Sequence, residues 1–311
     1  MSQENYPFAS VGETDYSSPL SPEKEQATWI VFGVLLAVLT FGYWNMLTYT
    51  SNSWSNDLYS HGWIVPLFTG YLFWIRRQRL TNVPLLERWI GLGILAVFLV
   101  LRLYGSYNDK DWLDRLTYIG ALLGIVQMVG GTKMLRWAGP AAAFLLFMFP
   151  LPSKIEHTVL LNLQRVAAIA STWTLQALGA PALRDGSRIV IDQLPLDVAD
   201  ACSGLRMGTI FGAMSVALAL IIDRPWWDRL TILVMAIPVA LVTNIIRITA
   251  TALLYMSFPE SEAIKHYVHD WAGLAMMPIA MGFLWLELQI LSRITVPIET
   301  DDYAAFGTAH G

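Results

Sequence analysis

Cys202 is the only cysteine among 311 residues, and it stands where a polar segment passes into a long apolar run. A lone cysteine cannot form an intrachain disulfide, so its thiol either packs inertly or does chemistry. Arg206 follows one helical turn later, which predicts that both side chains lie on one helix face. A nearby cation and a helix N-terminus both favour the thiolate. The pattern therefore predicts an activated nucleophile.

Arg247 lies inside an apolar run of the sequence. Inserting an arginine into the centre of a membrane helix costs about 2.5–3.5 kcal/mol, so by default the residue faces a protein-lined or wet cavity and has a function. Asn244, in the same run, is a candidate supporting residue. The alternative is a structural ion pair, although few Asp or Glu residues are expected at the same depth.

Histidines stand at two predicted helix ends. His269 is predicted to begin the last helix, with Asp270 at the helix N-terminus, where a carboxylate is favoured. His266 and His269 are both expected on the same side of the membrane as Cys202, which makes His269 a candidate acid–base group and leaves His266 as a loop residue. His61 is predicted at the outer end of its own helix, where it either binds substrate or anchors the helix at the interface.

Composition places the chain in a membrane. Hydrophobic residues make up 55% of the chain and charged residues 14%, against roughly 25% charged residues in soluble domains. The net charge of −4, with 20 scattered Lys and Arg residues, excludes a nucleic-acid-binding protein. The sequence contains no phosphate-binding Gly-rich loop, no zinc-protease motif, no serine-hydrolase elbow and no metal-ligand spacing, so we expect neither a metal nor a cofactor.

The predicted fold is an all-α polytopic membrane protein with about eight transmembrane helices. The predicted spans are residues 28–48, 61–75, 89–105, 113–131, 137–152, 203–222, 230–257 and 271–291. Residues 1–26 and 295–311 are predicted to be cytoplasmic tails, the first of them disordered, around a membrane-embedded domain of residues 27–294. The positive-inside rule supports this orientation. The basic residues then assigned to the inside are Arg76, Arg77, Arg79, Arg88, Lys133, Arg136, Arg224, Arg229 and Arg293.

Residues 155–178 have apolar side chains at helical spacing and a single arginine. We interpret them as an amphipathic helix on the outer membrane surface. The alternative, a ninth span, would reverse the orientation of everything that follows and place Arg224 and Arg229 outside. After this helix, residues 189–191 and 194–198 alternate in polarity and predict a short β-hairpin that leads into Cys202.

Blocks of this sequence resemble the exosortase/archaeosortase family. Three blocks carry the resemblance in the right order and spacing, namely Asp200–Arg206, Asn244–Ile248 and His269–Gly273. Two further blocks, Ser60–Gly62 and Phe149–Pro152, extend the similarity over the chain from about residue 30 to residue 291. The three-block combination is specific, whereas an isolated Cys-Ser-Gly would not be.

The resemblance implies a multi-pass transpeptidase of the bacterial cytoplasmic membrane, with its active site facing the periplasm or the exterior. Its substrates would be secreted proteins with a C-terminal sorting signal: a short motif such as Pro-Glu-Pro, a transmembrane helix and a basic cluster. Carried over to this chain, Cys202 is the nucleophile, and Arg247 and His269 are the essential arginine and histidine. A thioester would form and pass to an unknown acceptor or to water.

Other residues and other functions complete the prediction. Arg206, His61, Asn244 and Asp270 are assigned as substrate-binding or supporting residues. A transporter or channel stays an alternative, because intramembrane Arg and Asn residues also line permeation routes. An intramembrane serine protease that uses Ser203 is a second alternative.

Overall fold

A computed structural model describes residues 18–191, 194–197, 204–222, 224–258 and 262–294. The chain divides into two compact units: unit 1 comprises Met1–Asn56 and Ser60–Pro150, and unit 2 comprises Asp57–Tyr59 and Leu151–Gly311. Cys202 and the predicted tail 295–311 lie outside the described residues, as do residues 1–17 of the first tail. Helix α1 begins at Pro22, inside the predicted first tail.

Helices make up most of the described chain. Unit 1 contains α1 (Pro22–Gly42), α2 (Trp44–Ser53), α3 (Ile64–Arg76), α4 (Leu85–Tyr107), α5 (Asp111–Phe144) and the 3-10 helix Leu145–Met148. Unit 2 contains α6 (Ser153–Ala177), β1 (Ala182–Asp185), β2 (Arg188–Ile191), β3 (Leu194–Asp197), α7 (Gly204–Ile221), α8 (Trp226–Ser257) and α9 (Glu262–Ile294). The 3-10 helix Asp57–Trp63 contributes residues to both units.

Helix α5 is a hairpin that reverses at Gly131. This residue has φ 66° and ψ −169°, a conformation in which a side chain would be strained. In a straight helix, residues 118 and 149 would lie about 45 Å apart, yet the Tyr118 and Phe149 rings are 6.3 Å apart. The carboxylate of Glu87 accepts a hydrogen bond from the Thr132 N–H at 2.7 Å and so caps the second arm. The break falls at the end of a predicted span.

Helices α4 and α5 pack closely through glycine. A Cβ atom on Gly91 would collide with the backbone of Met128, and one on Gly124 would meet the backbone nitrogen of Leu95 at 2.7 Å. Small residues let helix backbones approach in a membrane, where association depends on close packing because lipid is as apolar as leucine. Unit 1 is therefore built around a glycine-mediated helix pair.

Helix α8 is the centre of unit 2, because it contacts α6, α7 and α9. Beside it, β1, β2 and β3 form an antiparallel sheet in that order. The predicted hairpin is present, with Ile189 and Ile191 buried at alternate positions of β2. The added strand β1 was not predicted, although Asp185-Gly186 is a typical hairpin turn sequence and Gly186 has φ 62°.

Four described helical segments are long and apolar enough to cross a membrane: α1, α4, α8 and Asp111–Met148, which is α5 with its 3-10 extension. A helical multi-pass membrane protein is therefore confirmed, and the total of eight spans stays a prediction. Helix α6 is not among the four, and its placement on the membrane surface also stays a prediction.

The predicted start of the last helix is wrong. Helix α9 begins at Glu262, so Asp270 lies two turns inside it and cannot act on its N-terminus. His266 is also helical and not a loop residue. Residues 262–270 contain neither Gly nor Pro, so nothing in this polar segment stops the helix from extending beyond the apolar run on which the prediction relied.

Candidate functional site

A buried polar face on α8 surrounds Arg247. Arg247 is 5% exposed and Asn244 3%, while Thr243 and Thr251, one turn to either side of Arg247, are 0% and 4% exposed. Residues at such spacing share one face of a helix. Arg247 is buried within the protein, and Asn244, a predicted supporting residue, is buried on the same face. The predicted function of Arg247 stays a prediction.

Helix α6 and the β-sheet pack against α8 next to this face. Ile248 and Ala252 of α8 belong to a buried cluster with Ala167 and Ala168 of α6 and with Ile189 of β2. The Gln176 side chain of α6 donates a hydrogen bond of 2.8 Å to the Ala182 carbonyl and ties α6 to β1. The sheet that precedes the cysteine segment is therefore fixed against the same part of α8 that carries Arg247.

A second buried cluster sets the register of α7, α8 and α9. Ile210 and Phe211 of α7 and Ala280 of α9 form the cluster, and Ala240 of α8 and Ile279 of α9 pack against it. Helices joined by such short connections run antiparallel. Arg247 lies seven residues beyond Ala240, which is about 10 Å along the helix.

Because α7 and α9 run antiparallel to α8, the level of Arg247 is found by counting seven residues back from the cluster on each of them. On α7 the count ends at its first residue, Gly204, and on α9 it ends at residues 272–273. The backbone of His269 is then about one turn, or about 5 Å, from that level. The start of α7, Arg247 of α8 and the His269 backbone of α9 therefore lie near one level of unit 2.

The predicted residues on α7 and α9 are placed by their backbones. Arg206 lies in the first turn of α7, which begins two residues after Cys202. His269 and Asp270 lie in the third turn of α9. The backbones of Arg206 and His269 lie on either side of the level of Arg247. This arrangement results from helix pairing, which the linear sequence does not show.

His61 belongs to unit 1, in the 3-10 helix before α3. Its Nε2 atom lies 3.1 Å from the Phe147 carbonyl oxygen, to which it donates in the tautomer that carries hydrogen there. The next residue must be small, because a Cβ atom on Gly62 would collide with the Trp54 indole. These contacts orient the imidazole and explain why glycine follows the histidine.

Sequence reasoning missed a polar contact at the start of α6. The Tyr59 hydroxyl donates a hydrogen bond of 3.0 Å to Glu156 and accepts one of 3.3 Å from the Leu151 N–H. Tyr59 is 6% exposed. Because 97 residues separate Tyr59 from Glu156, no local pattern could have paired them. The contact fixes the beginning of α6.

Within the described ranges, no three His, Cys, Asp or Glu side chains converge where a metal ion could bind. The chemistry that the described geometry offers is that of a buried guanidinium on a polar helix face. Such a group stabilises negative charge, because it stays protonated when it is removed from water.

Comparison with known proteins gives one match. The sequence model of the family described as transmembrane exosortase matches residues 53–286, three quarters of the chain. No curated protein and no solved structure matches this chain. The matched range includes Cys202, Arg247 and His269 as well as all of α8. This chain, a multi-pass helical membrane protein, therefore belongs to the transmembrane exosortase family.

Proposed function

We propose that this protein is a cysteine-type transpeptidase that cleaves C-terminal sorting signals of secreted proteins. The observation that carries the proposal is the burial of Arg247 on the polar face of α8. Helix packing puts this residue near the level of the start of α7 and about one turn, along the helix axis, from the level of the His269 backbone. A family match alone would leave the chemistry open. A buried cation suits acyl transfer by a cysteine and a histidine, because it can stabilise the oxyanion that forms.

In the proposed reaction, the Cys202 thiolate attacks the carbonyl carbon of the scissile peptide bond. Arg247 stabilises the oxyanion of the tetrahedral intermediate, and His269 protonates the leaving amine as the C–N bond breaks. A thioester remains on Cys202. His269 then removes a proton from the incoming nucleophile, or from water, and the thiolate leaves.

The supporting residues have separate proposed roles. Arg206, in the first turn of α7, favours the thiolate of Cys202 or binds the substrate. Asn244 shares the face of Arg247 and supplies a neutral hydrogen-bonding group there. Asp270 follows His269 in the same turn of α9 and supports the catalytic region. His61 keeps its proposed role as a substrate-binding or supporting residue.

The proposed substrate is a secreted protein that ends in a short motif such as Pro-Glu-Pro, a membrane helix and a basic cluster. We place the reaction at the outer face of the bacterial cytoplasmic membrane. The helical multi-pass fold supports a membrane-anchored substrate, because the enzyme and the sorting signal would then share one bilayer. The acceptor is either an amine or hydroxyl nucleophile or water.

Substitution of the three residues tests the proposal. Cys202→Ala, Arg247→Ala and His269→Ala should each reduce processing of a co-expressed substrate by at least about 10²-fold, and pairs of substitutions should cost little more than single ones. His266→Ala is the matched control, one turn earlier on α9, and should be mild. The measurement is substrate cleavage in membranes matched for protein level.

Arg247→Lys separates catalysis from charge pairing. A lysine ammonium lacks the planar fork of donors and loses its proton more readily when buried, so this variant should be almost as inactive as Arg247→Ala. Substantial activity in the lysine variant would remove the oxyanion role.

Two outcomes would favour the alternative functions. An active Cys202→Ala variant with an inactive Ser203→Ala variant would indicate a serine protease, and an unreactive Cys202 thiol would favour a transporter.

A further inference from the structure

Glu287 is a buried carboxylate on α9 that has no role in the reaction above. It is 8% exposed, and neither of its carboxylate oxygens has a hydrogen-bond or ion-pair partner among the residues that the structure describes. A buried carboxylate is costly unless a cation or donors compensate it, and such a group in a predicted membrane span by default marks a functional site. We propose that Glu287 binds a cationic side chain from the basic cluster of the sorting signal, an inference that rests on the function proposed above.

Glu287 lies at the edge of the packed face of α9. Ala280, Leu284 and Glu287 are buried at spacings of four and three residues, which places them on one face of the helix. Ile290 and Ile294, three and seven residues beyond Glu287, lie on the same side of the helix and are exposed. The carboxylate is therefore at the end of the buried face, and a long side chain that lies against Ile290 can reach it from outside the packed helices.

A second unpartnered polar group lies on α7. Ser215 is 0% exposed, and its hydroxyl has no hydrogen-bond partner within the described part of the chain. Phe211 of α7 and Ala280 of α9 belong to one buried cluster, and both helices run antiparallel to α8. Counted from that cluster, Ser215 lies one turn and Glu287 two turns further along, so their levels differ by about 5 Å. A serine hydroxyl both donates and accepts hydrogen bonds, so Ser215 can orient the carboxylate toward an incoming cation.

The position of Glu287 along α9 fits the far end of a substrate's membrane helix. Glu287 lies 18 residues after His269, which is about 27 Å along the helix. A helix that spans the hydrocarbon core is about 30 Å long. A substrate helix that is cleaved at the level of His269 therefore carries its basic cluster to within a side-chain length of the level of Glu287. Lysine and arginine side chains at helix ends extend along apolar surface to reach a polar group.

A double-mutant cycle tests the proposed charge pair. The full-length protein, as wild type or Glu287→Gln, is co-expressed with a substrate whose basic cluster is intact or replaced by glutamines, and the cleavage rate is measured. Only correctly oriented membrane-inserted substrate is counted, because cations also set orientation. Glu287→Gln should slow cleavage of the intact substrate about 10-fold and that of the neutral substrate less than about twofold, since either change removes the same pair.

Two further variants control for charge and for folding. Glu23→Gln makes the same chemical change at an exposed carboxylate in the first turn of α1, and it should change both rates by less than about twofold because solvent and salt screen distant charges. Glu287→Asp keeps the charge and should stay within about threefold of wild type at matched protein level. Equal slowing of both substrates by Glu287→Gln, slowing of neither, or equal losses in the Asp and Gln variants would overturn the proposal.

Disulfide cross-linking measures binding separately from cleavage. The Cys202→Ala variant contains no thiol, so Ile290→Cys in that background adds a single one near Glu287, and the substrate carries one cysteine beside its basic cluster. Oxidation of isolated membranes should link the two, and adding Glu287→Gln should lower the yield about 10-fold. Gln289→Cys, at the same depth on the opposite face of α9, is the matched control and should link less.

The two assays separate this inference from the proposed function. A cross-link at 290 that depends on Glu287, with a wild-type protein that cleaves no substrate, would refute the transpeptidase and leave the binding site standing. Cleavage by the wild-type protein that does not depend on Glu287, or equal cross-linking at 289 and 290, would refute the binding site and leave the transpeptidase standing.

Discussion

Because Cys202 is the only cysteine, one added cysteine on α8 tests whether the proposed site assembles. Thr243→Cys and Thr251→Cys place the second thiol one turn to either side of Arg247, on the same buried face. Ile232→Cys is the matched control, buried on the same helix but far from the proposed site.

The packing register gives the expected distances. Counted from the cluster around Ala240, Gly204 falls about level with residues 246–247 of α8. Thr243 and Thr251 then lie about 5 and 7 Å from it along the axis, and Ile232 lies about 22 Å away. Cys202 precedes Gly204 by two residues, and two residues of extended chain span at most about 7 Å. A disulfide requires Cα atoms within about 7 Å of each other. The cysteine at 232 is therefore out of reach of Cys202, whereas those at 243 and 251 are within it.

Oxidation of membranes with copper phenanthroline, followed by labelling with a maleimide polymer, counts the free thiols on a gel. Thr243→Cys and Thr251→Cys should lose both labels, and Ile232→Cys should keep both. Disulfide links between two copies of the protein give covalent dimers, which migrate separately on the gel and are counted separately. A cross-link at 232, or intact and reactive thiols at both 243 and 251 after oxidation, would refute the register from which the site is built.

Two other predictions concern helix packing and topology. Gly91→Ala should destabilise the protein by about 1–3 kcal/mol in thermal unfolding, because the new methyl group meets the Met128 backbone. Gly93→Ala, with nothing within 4 Å of the added atom, should be neutral or stabilising by up to about 1 kcal/mol, and equal losses in the two variants would contradict the α4–α5 packing. A membrane-impermeant maleimide should label Cys202 in intact spheroplasts; labelling only after the membrane is opened would reverse the orientation of α7 and favour α6 as a span.

Several features follow from the sequence because they are local. The apolar runs predict α4 and α8, since a helix that satisfies its own backbone is the stable form of such a segment in lipid. The burial of Ile189 and Ile191 follows from their alternation along β2. Arg247 was predicted to face a protein-lined or wet cavity, because an arginine in an apolar run has few other stable environments. Cys202, Arg247 and His269 were likewise selected by residue type and spacing.

Tertiary structure decides which of these local elements meet. The sequence of α6 shows a helical period but not which face packs: Ala167, Ala168 and Ser171 are buried, whereas Trp173 is exposed. Small side chains allow close helix contact, and lipid offers no penalty to an exposed tryptophan, so apolar character does not identify the packed face. The contact of Tyr59 with Glu156, the chain reversal at Gly131 and the common level of α7, α8 and α9 depend in the same way on residues far apart in the chain. The sequence therefore determines the helices and the chemical groups they carry, and long-range packing determines which of those groups form a site.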